Sequence, residues 1–193
     1  MKITSTKFIK GLVGDDSILG DGTPQIAFVG RSNVGKSSLI NTITQSSSSR
    51  TSSFPGRTQE INIFLVKNDL NDSYYFVDLP GYGFARASGI GREKIGELID
   101  SYLFNSIYPQ KKLVMIIDAN VGMTDKDILM LNELINHDKD FVIVANKTDK
   151  LTQSEYHKKI KDLEEMVHGN CKIIPFSNKN KKNLTELIEE IFK

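Results

Sequence analysis

Two kinds of hydrophobic pattern alternate along the chain. Continuous apolar runs at 26–29, 74–77, 113–117, 141–145 and 171–176 have the length and composition of strands, several of them buried on both faces of a parallel sheet. Between them apolar residues recur every three or four positions, the period of a helix with one buried stripe. The stripes are Leu39, Ile40 and Ile43; Ile95, Leu98, Ile99, Tyr102, Leu103 and Ile107, stopping at Pro109; Ile128, Leu131 and Ile135; Tyr156, Ile160, Leu163 and Val167; and Leu184, Leu187, Ile188 and Ile191. Ile61, Ile63 and Leu65 fall at every second position, and the turn-rich KNDLNDS that follows predicts a β-hairpin with the run at 74–77. Thr124 with Asp127, Thr152 with Glu155 and Asn183 with Glu186 have the spacing that caps helix starts. Residues 1–23 show little period and predict an arm with at most a short strand or turn. Strands alternating with helices predict one α/β domain over residues 1–193.

Composition adds limits to this picture. With 193 residues and a net charge of +1, the chain fits one domain, and no global field commits it to DNA or to a membrane surface. Its single cysteine, Cys171, excludes an internal disulfide and reads as a buried hydrophobe. No apolar run has the length of a signal peptide or a membrane span, so the expected location is the cytoplasm. His137, His157 and His168 lack metal-ligand spacing. Lys158, Lys159, Lys161, Lys179, Lys181 and Lys182 form either a positive face or an ordinary solvated surface.

The candidate chemistry sits where strands end. The first apolar run breaks into Gly30-Arg31-Ser32-Asn33-Val34-Gly35-Lys36-Ser37-Ser38, a G-x-x-x-x-G-K-[ST] phosphate-binding loop. Its glycines let successive N–H groups point inward, and the following helix adds its positive end. Lys36 would reach the β- and γ-phosphates, and Ser37 would ligate a bridging Mg²⁺. Residues 44–60, rich in Ser and Thr and containing Gly56, Arg57 and Thr58, read as a nucleotide-sensing loop. There Thr58 completes the Mg²⁺ shell and meets the γ-phosphate. A second such loop at 78–93 opens with Asp78-Leu79-Pro80-Gly81, where Asp78 would hold a Mg²⁺-bound water and Gly81 offer its N–H to the γ-phosphate. Asn146-Lys147-Thr148-Asp149 ends a later strand. Asp149 can accept from guanine N1–H and the 2-amino group, a donor pair adenine lacks, while Asn146 braces adjacent loops and the Lys147 stem covers the base.

In this order the motifs resemble those of the translation-factor-related GTPases, with Ser177-Asn178 where their last base-binding loop has Ser-Ala. GRSNVGKSSLIN, PGRTQEIN, DLPGYGFA and ANKTDK are more closely similar to the EngB family of bacterial GTPases. That resemblance implies a Ras-like three-layer fold with a six-stranded, mostly parallel sheet, one antiparallel edge strand and helices on both faces. It further implies hydrolysis of GTP to GDP, Mg²⁺ as cofactor, and the large ribosomal subunit or its rRNA as partner of a monomer. Tyr82 stands where Ras-like enzymes carry the water-orienting glutamine, which implies slow intrinsic turnover. Catalysis then falls to Lys36, Thr58, Gly81 and Asn33. Asn33 occupies the position that binds K⁺ in related GTPases with an aromatic or hydrophobic residue at the glutamine site; Arg31, Arg57 and Arg86 are alternative charge donors. Two other classes stay open on sequence alone: a P-loop ATPase or kinase, and a nucleotide-gated RNA-docking module with incidental turnover.

Overall fold

Ile26, Ala27, Phe28 and Val29 are wholly buried and form the middle of strand β2 (Gln25–Gly30), the axis on which the rest is assembled. The computed structural model describes residues 1–45, 60–83 and 89–193, without the side chains of 89–92. The other strands are β1 (Ile3–Leu12), β3 (Ile61–Asn68), β4 (Ser73–Asp78), β5 (Gln110–Asp118), β6 (Phe141–Asn146) and β7 (Lys172–Pro175). Helices α1 (Lys36–Thr44), α2 (Gly89–Asp100), α3 (Asp125–Asn136), α4 (Gln153–Val167) and α5 (Leu184–Phe192) connect them or follow them. They make one seven-stranded sheet of order β1-β3-β4-β2-β5-β6-β7. β3 runs antiparallel to both its neighbours, and the other pairs are parallel.

Two features depart from the sequence expectation. The sheet has seven strands rather than six, because the N-terminal segment is a full edge strand. The single antiparallel strand is therefore β3, inside the sheet and not at its edge. The ladder of β1 on β3 slips between Ile3 and Ser5 and again between Phe8 and Lys10. Such bulges break the period-two pattern by which a strand is read from sequence. Between the two slips Phe8 lies edge-on to Phe64, 5.5 Å between ring centres, and after the second Leu12 pairs with Ile61.

Side-chain alternation sends each strand into two cores. On one face Leu39, Ile40 and Ile43 of α1 and Leu187, Ile191 and Phe192 of α5 pack on Phe28, Phe76, Val114 and Val144. On the other, Ile99 of α2, Leu131 and Leu134 of α3, and Leu163 and Val167 of α4 pack on Val29, Val77, Met115 and Ile143. Burial of these apolar faces is the main stabilising contribution. Cys171 packs against the second core, and burial pushes its thiol up to about 12. Ile107, read as part of the α2 stripe, is 84% exposed. A wide π-type turn at Ser101–Asn105 turns Tyr102 and Leu103 inward and ends the helix before it. Of the expected inner face of α3, Leu131 is buried and Ile135 packs on the core, joined there by Asp127 and Leu134. Ile128 is exposed because a buried carboxylate, not an apolar side chain, begins the stripe.

Candidate functional site

Since β2, β4, β5, β6 and β7 are parallel, the motifs that end them meet along one edge of the sheet, where open α/β sheets bind ligands. The loop after β2 is shaped by two close approaches. A side chain on Gly30 would meet the Ile116 carbonyl at 2.5 Å, and one on Gly35 would meet Asn146 Nδ2 at 2.3 Å. Gly35 also has φ +99°, a conformation glycine adopts at little cost. It precedes α1 and has no side chain to cap it, which leaves the first-turn N–H groups aimed at whatever anion the loop holds.

Lys36 is buried and forms an ion pair with Asp78 Oδ1 at the end of β4. Ser37 Oγ lies 3.4 Å from Asp78 Oδ2. A hydroxyl and a carboxylate oxygen side by side, few in number and both hard donors, fit Mg²⁺, which shares its shell with phosphate oxygens and water. Gly81 is pressed on the phosphate loop, since a Cβ there would sit 2.9 Å from the backbone N and Cα of Ser32.

The loops after β6 and β7 are tied to this region through Asn146, which is wholly buried. Its Nδ2 donates to the Val34 carbonyl at 2.8 Å, and its Oδ1 accepts from the Lys147 N–H at 2.8 Å. Lys147, at φ 66°, places its ammonium 2.6 Å from both the Asn33 carbonyl and Asp118 Oδ2. The ammonium thus bridges the loop after β2 and the end of β5. Ser177, buried after β7, donates to Asp149 Oδ1 at 2.6 Å and fixes that carboxylate. Thr148 N–H and Oγ1 both donate to the Phe176 carbonyl, joining the two loops. Asn178, in place of the usual alanine, accepts from Thr42 Oγ1 at 3.1 Å and so fastens the last loop to α1.

Arg31, Tyr82 and Asp127 are a grouping the sequence does not show. Asp127 is wholly buried; it accepts from Arg31 Nε at 2.8 Å and from the Tyr82 hydroxyl at 2.8 Å. It also accepts from the Thr124 N–H at 2.9 Å and Oγ1 at 2.8 Å. Burial first, and then the Asp127 charge, raise the Tyr82 phenol far above its ordinary range, so it stays protonated and donates. The guanidinium of Arg31, considered above as a charge donor, is committed to Asp127. Only the capping role of Asp127 was visible in the spacing of Thr124 and Asp127.

Gly56, Arg57, Thr58 and Arg86 lie outside the described residues. Asn33 is exposed, with φ 68°. The lysines considered as a positive face make separate contacts. Lys159 donates to the Asn120 carbonyl, Lys161 pairs with Glu165, and Lys182 sits over the Tyr156 ring. Asn183 does not cap α5; its side chain donates to the Pro175 carbonyl at 2.9 Å.

Comparison with known proteins gives concordant likenesses. Residues 25–147 match the family described as 50S ribosome-binding GTPase. The whole chain is 38% identical over 195 residues to the probable GTP-binding protein EngB of Clostridium perfringens strain SM101, covering 96% of it. It is 42% identical over 167 residues to the protein of the same description from Kosmotoga olearia, covering 86% of this chain and 85% of that one. A crystal structure of a probable GTP-binding protein EngB superposes with a TM-score of 0.70 at 26% identity, covering 87% of this chain and 96% of the other. Era, solved in complex with MgGDPNP and nucleotides 1506–1542 of 16S ribosomal RNA, superposes with a TM-score of 0.73 at 27% identity, covering 88% of this chain and 55% of Era.

Proposed function

The chain belongs to the EngB family of GTP-binding proteins, and from that premise we propose that it is a nucleotide-controlled switch in assembly of the large ribosomal subunit. It hydrolyses GTP to GDP and phosphate, and we assign it a slow intrinsic rate. Membership of a GTP-binding family argues against the ATPase or kinase alternative.

The observation that carries the guanine reading is the Ser177–Asp149 hydrogen bond of 2.6 Å. It holds a carboxylate at a strand end in one orientation, next to a loop fastened to the phosphate loop by Asn146. A base and a phosphate tail are thereby bound by parts that cannot move independently. The phosphate-loop N–H groups and Lys36 hold the tail, with Thr58 and Gly81 at the γ-phosphate, and loss of that phosphate on hydrolysis removes the last two contacts. Ser37, Thr58 and, through water, Asp78 would hold Mg²⁺, which would supply positive charge against the phosphates. The Tyr82 hydroxyl is committed to Asp127, which supports slow turnover because no side chain from that position orients the attacking water. K⁺ beside Asn33 would supply the positive charge that an arginine supplies in other GTPases.

Ribosome docking rests on the 50S ribosome-binding description of the matched family, and the reading places the protein in the cytoplasm. Co-sedimentation with purified large ribosomal subunits tests it. Retention with a non-hydrolysable GTP analogue and release with GDP is the expected result; no sedimentation in either state, or equal sedimentation in both, contradicts the switch.

A further inference from the structure

Tyr82 is held from two directions. Its hydroxyl donates to Asp127 at 2.8 Å, and its carbonyl accepts from the Ser32 N–H at 3.3 Å, so that Arg31 and Tyr82 form a short parallel β-bridge. Arg31 Nε donates to the other oxygen of the same carboxylate at 2.8 Å. Three separate parts of the chain, the phosphate loop, the exit of β4 and the start of α3, therefore converge on one wholly buried anion. Gly81 lies directly before Tyr82, against the Ser32 backbone.

We propose that Arg31, Tyr82 and Asp127 form a clasp that fixes Gly81 where its N–H meets the γ-phosphate, and that this clasp sets how strongly the protein prefers GTP over GDP. The inference rests on the GTP-binding reading above and adds to it three positioning residues, none of which is asked to touch the reacting atoms. The phase of α3 follows from the same arrangement: Asp127 faces inward with Leu131 and Leu134, which commits the first turn of that helix to the clasp.

The physical reason is preorganisation. A backbone amide that is already in place accepts a ligand without the cost of ordering the segment that carries it. If one residue must instead be ordered when the γ-phosphate arrives, affinity for the triphosphate falls about fivefold to thirtyfold. GDP carries no γ-phosphate, so its contacts with Lys36, Ser37, Asn146 and Asp149 are indifferent to the position of Gly81. The clasp thus acts on one nucleotide and not on the other. Its hydrogen bonds run to a buried charged acceptor, the class whose loss is felt most.

The test is equilibrium titration of the full chain with fluorescent GDP and with a fluorescent non-hydrolysable GTP analogue. The chains compared are wild type, Tyr82→Phe, Asp127→Asn and the double variant. Tyr82→Phe removes one hydroxyl and leaves Asp127 with Arg31 and Thr124, so it keeps the fold and decides the matter by itself if Asp127→Asn proves too unstable to purify. GDP affinity is expected to stay within about twofold, while affinity for the analogue falls about fivefold or more in each single variant. The double variant should lose no more than Asp127→Asn alone, because both changes break one chain of contacts. A Tyr82→Phe protein with the wild-type ratio of the two affinities overturns the clasp and leaves the GTP-binding reading standing. So does a variant that loses both nucleotides in step, which is the mark of a merely structural role. A wild-type chain that binds neither nucleotide overturns the reading, and the clasp with it.

Discussion

Replacing Asn146 by alanine isolates the joint between base and phosphate recognition. The side chain is wholly buried and makes two hydrogen bonds of 2.8 Å, donating to the Val34 carbonyl and accepting from the Lys147 N–H. Truncation removes both, and each buried backbone group left unpaired costs about 1–3 kcal/mol, or about 2–6 kcal/mol together. For a chain of this size about 1 kcal/mol lowers the melting temperature by about 2–4 °C, so the expected loss is about 4–24 °C. A further effect separates a joint from a simple core residue. Bound GDP stabilises the fold by an amount that grows as the logarithm of one plus its concentration over its dissociation constant, and a loop no longer fastened at Val34 binds phosphate less well. The increment that saturating GDP gives to wild type should therefore shrink in Asn146→Ala. Thermal unfolding of both proteins, with and without GDP, reads both quantities. A variant that melts within about 1 °C of wild type, with an undiminished GDP increment, would refute the assignment of the Asn146–Val34 hydrogen bond as the coupling between loops.

Lys36→Ala removes the ammonium meant for the β- and γ-phosphates and takes from Asp78 its ion-pair partner. GDP and GTP binding should fall below detection in a filter or fluorescence titration, and retention within about threefold contradicts the phosphate role. The proposed K⁺ beside Asn33 predicts faster GTP hydrolysis in KCl than in NaCl of equal ionic strength. Equal rates in the two salts remove that cation from the account.

Much of the site was legible because its chemistry is local in sequence. A glycine-framed loop, a carboxylate after an apolar strand and an Asn-Lys-Thr-Asp turn each declare themselves within a few residues, and the sheet brings them to one edge. What was hidden depends on pairing between distant segments. β1 escaped notice because two register slips scramble its alternation. Ile128 was misplaced on the inner face of α3 because the first buried position is Asp127, whose burial makes sense only once Arg31 and Tyr82 are seen beside it. Lys147 was read for its stem, while its ammonium joins Asn33 to Asp118. In each case the missing information was the identity of a partner 29 to 114 residues away, which no local periodicity contains.

Guanine recognition is the central claim, and Asp149 states it in one side chain. On the proposed reading its carboxylate, fixed by Ser177 at 2.6 Å, accepts from two donors of guanine. Asparagine at this position presents a donor in place of one acceptor and should favour a base with an oxygen where guanine has its amino group. Titration of wild type and Asp149→Asn with GTP and with xanthosine triphosphate measures the exchange directly. The expected result is loss of GTP affinity together with a gain for xanthosine triphosphate; unchanged GTP affinity in the variant would contradict the account.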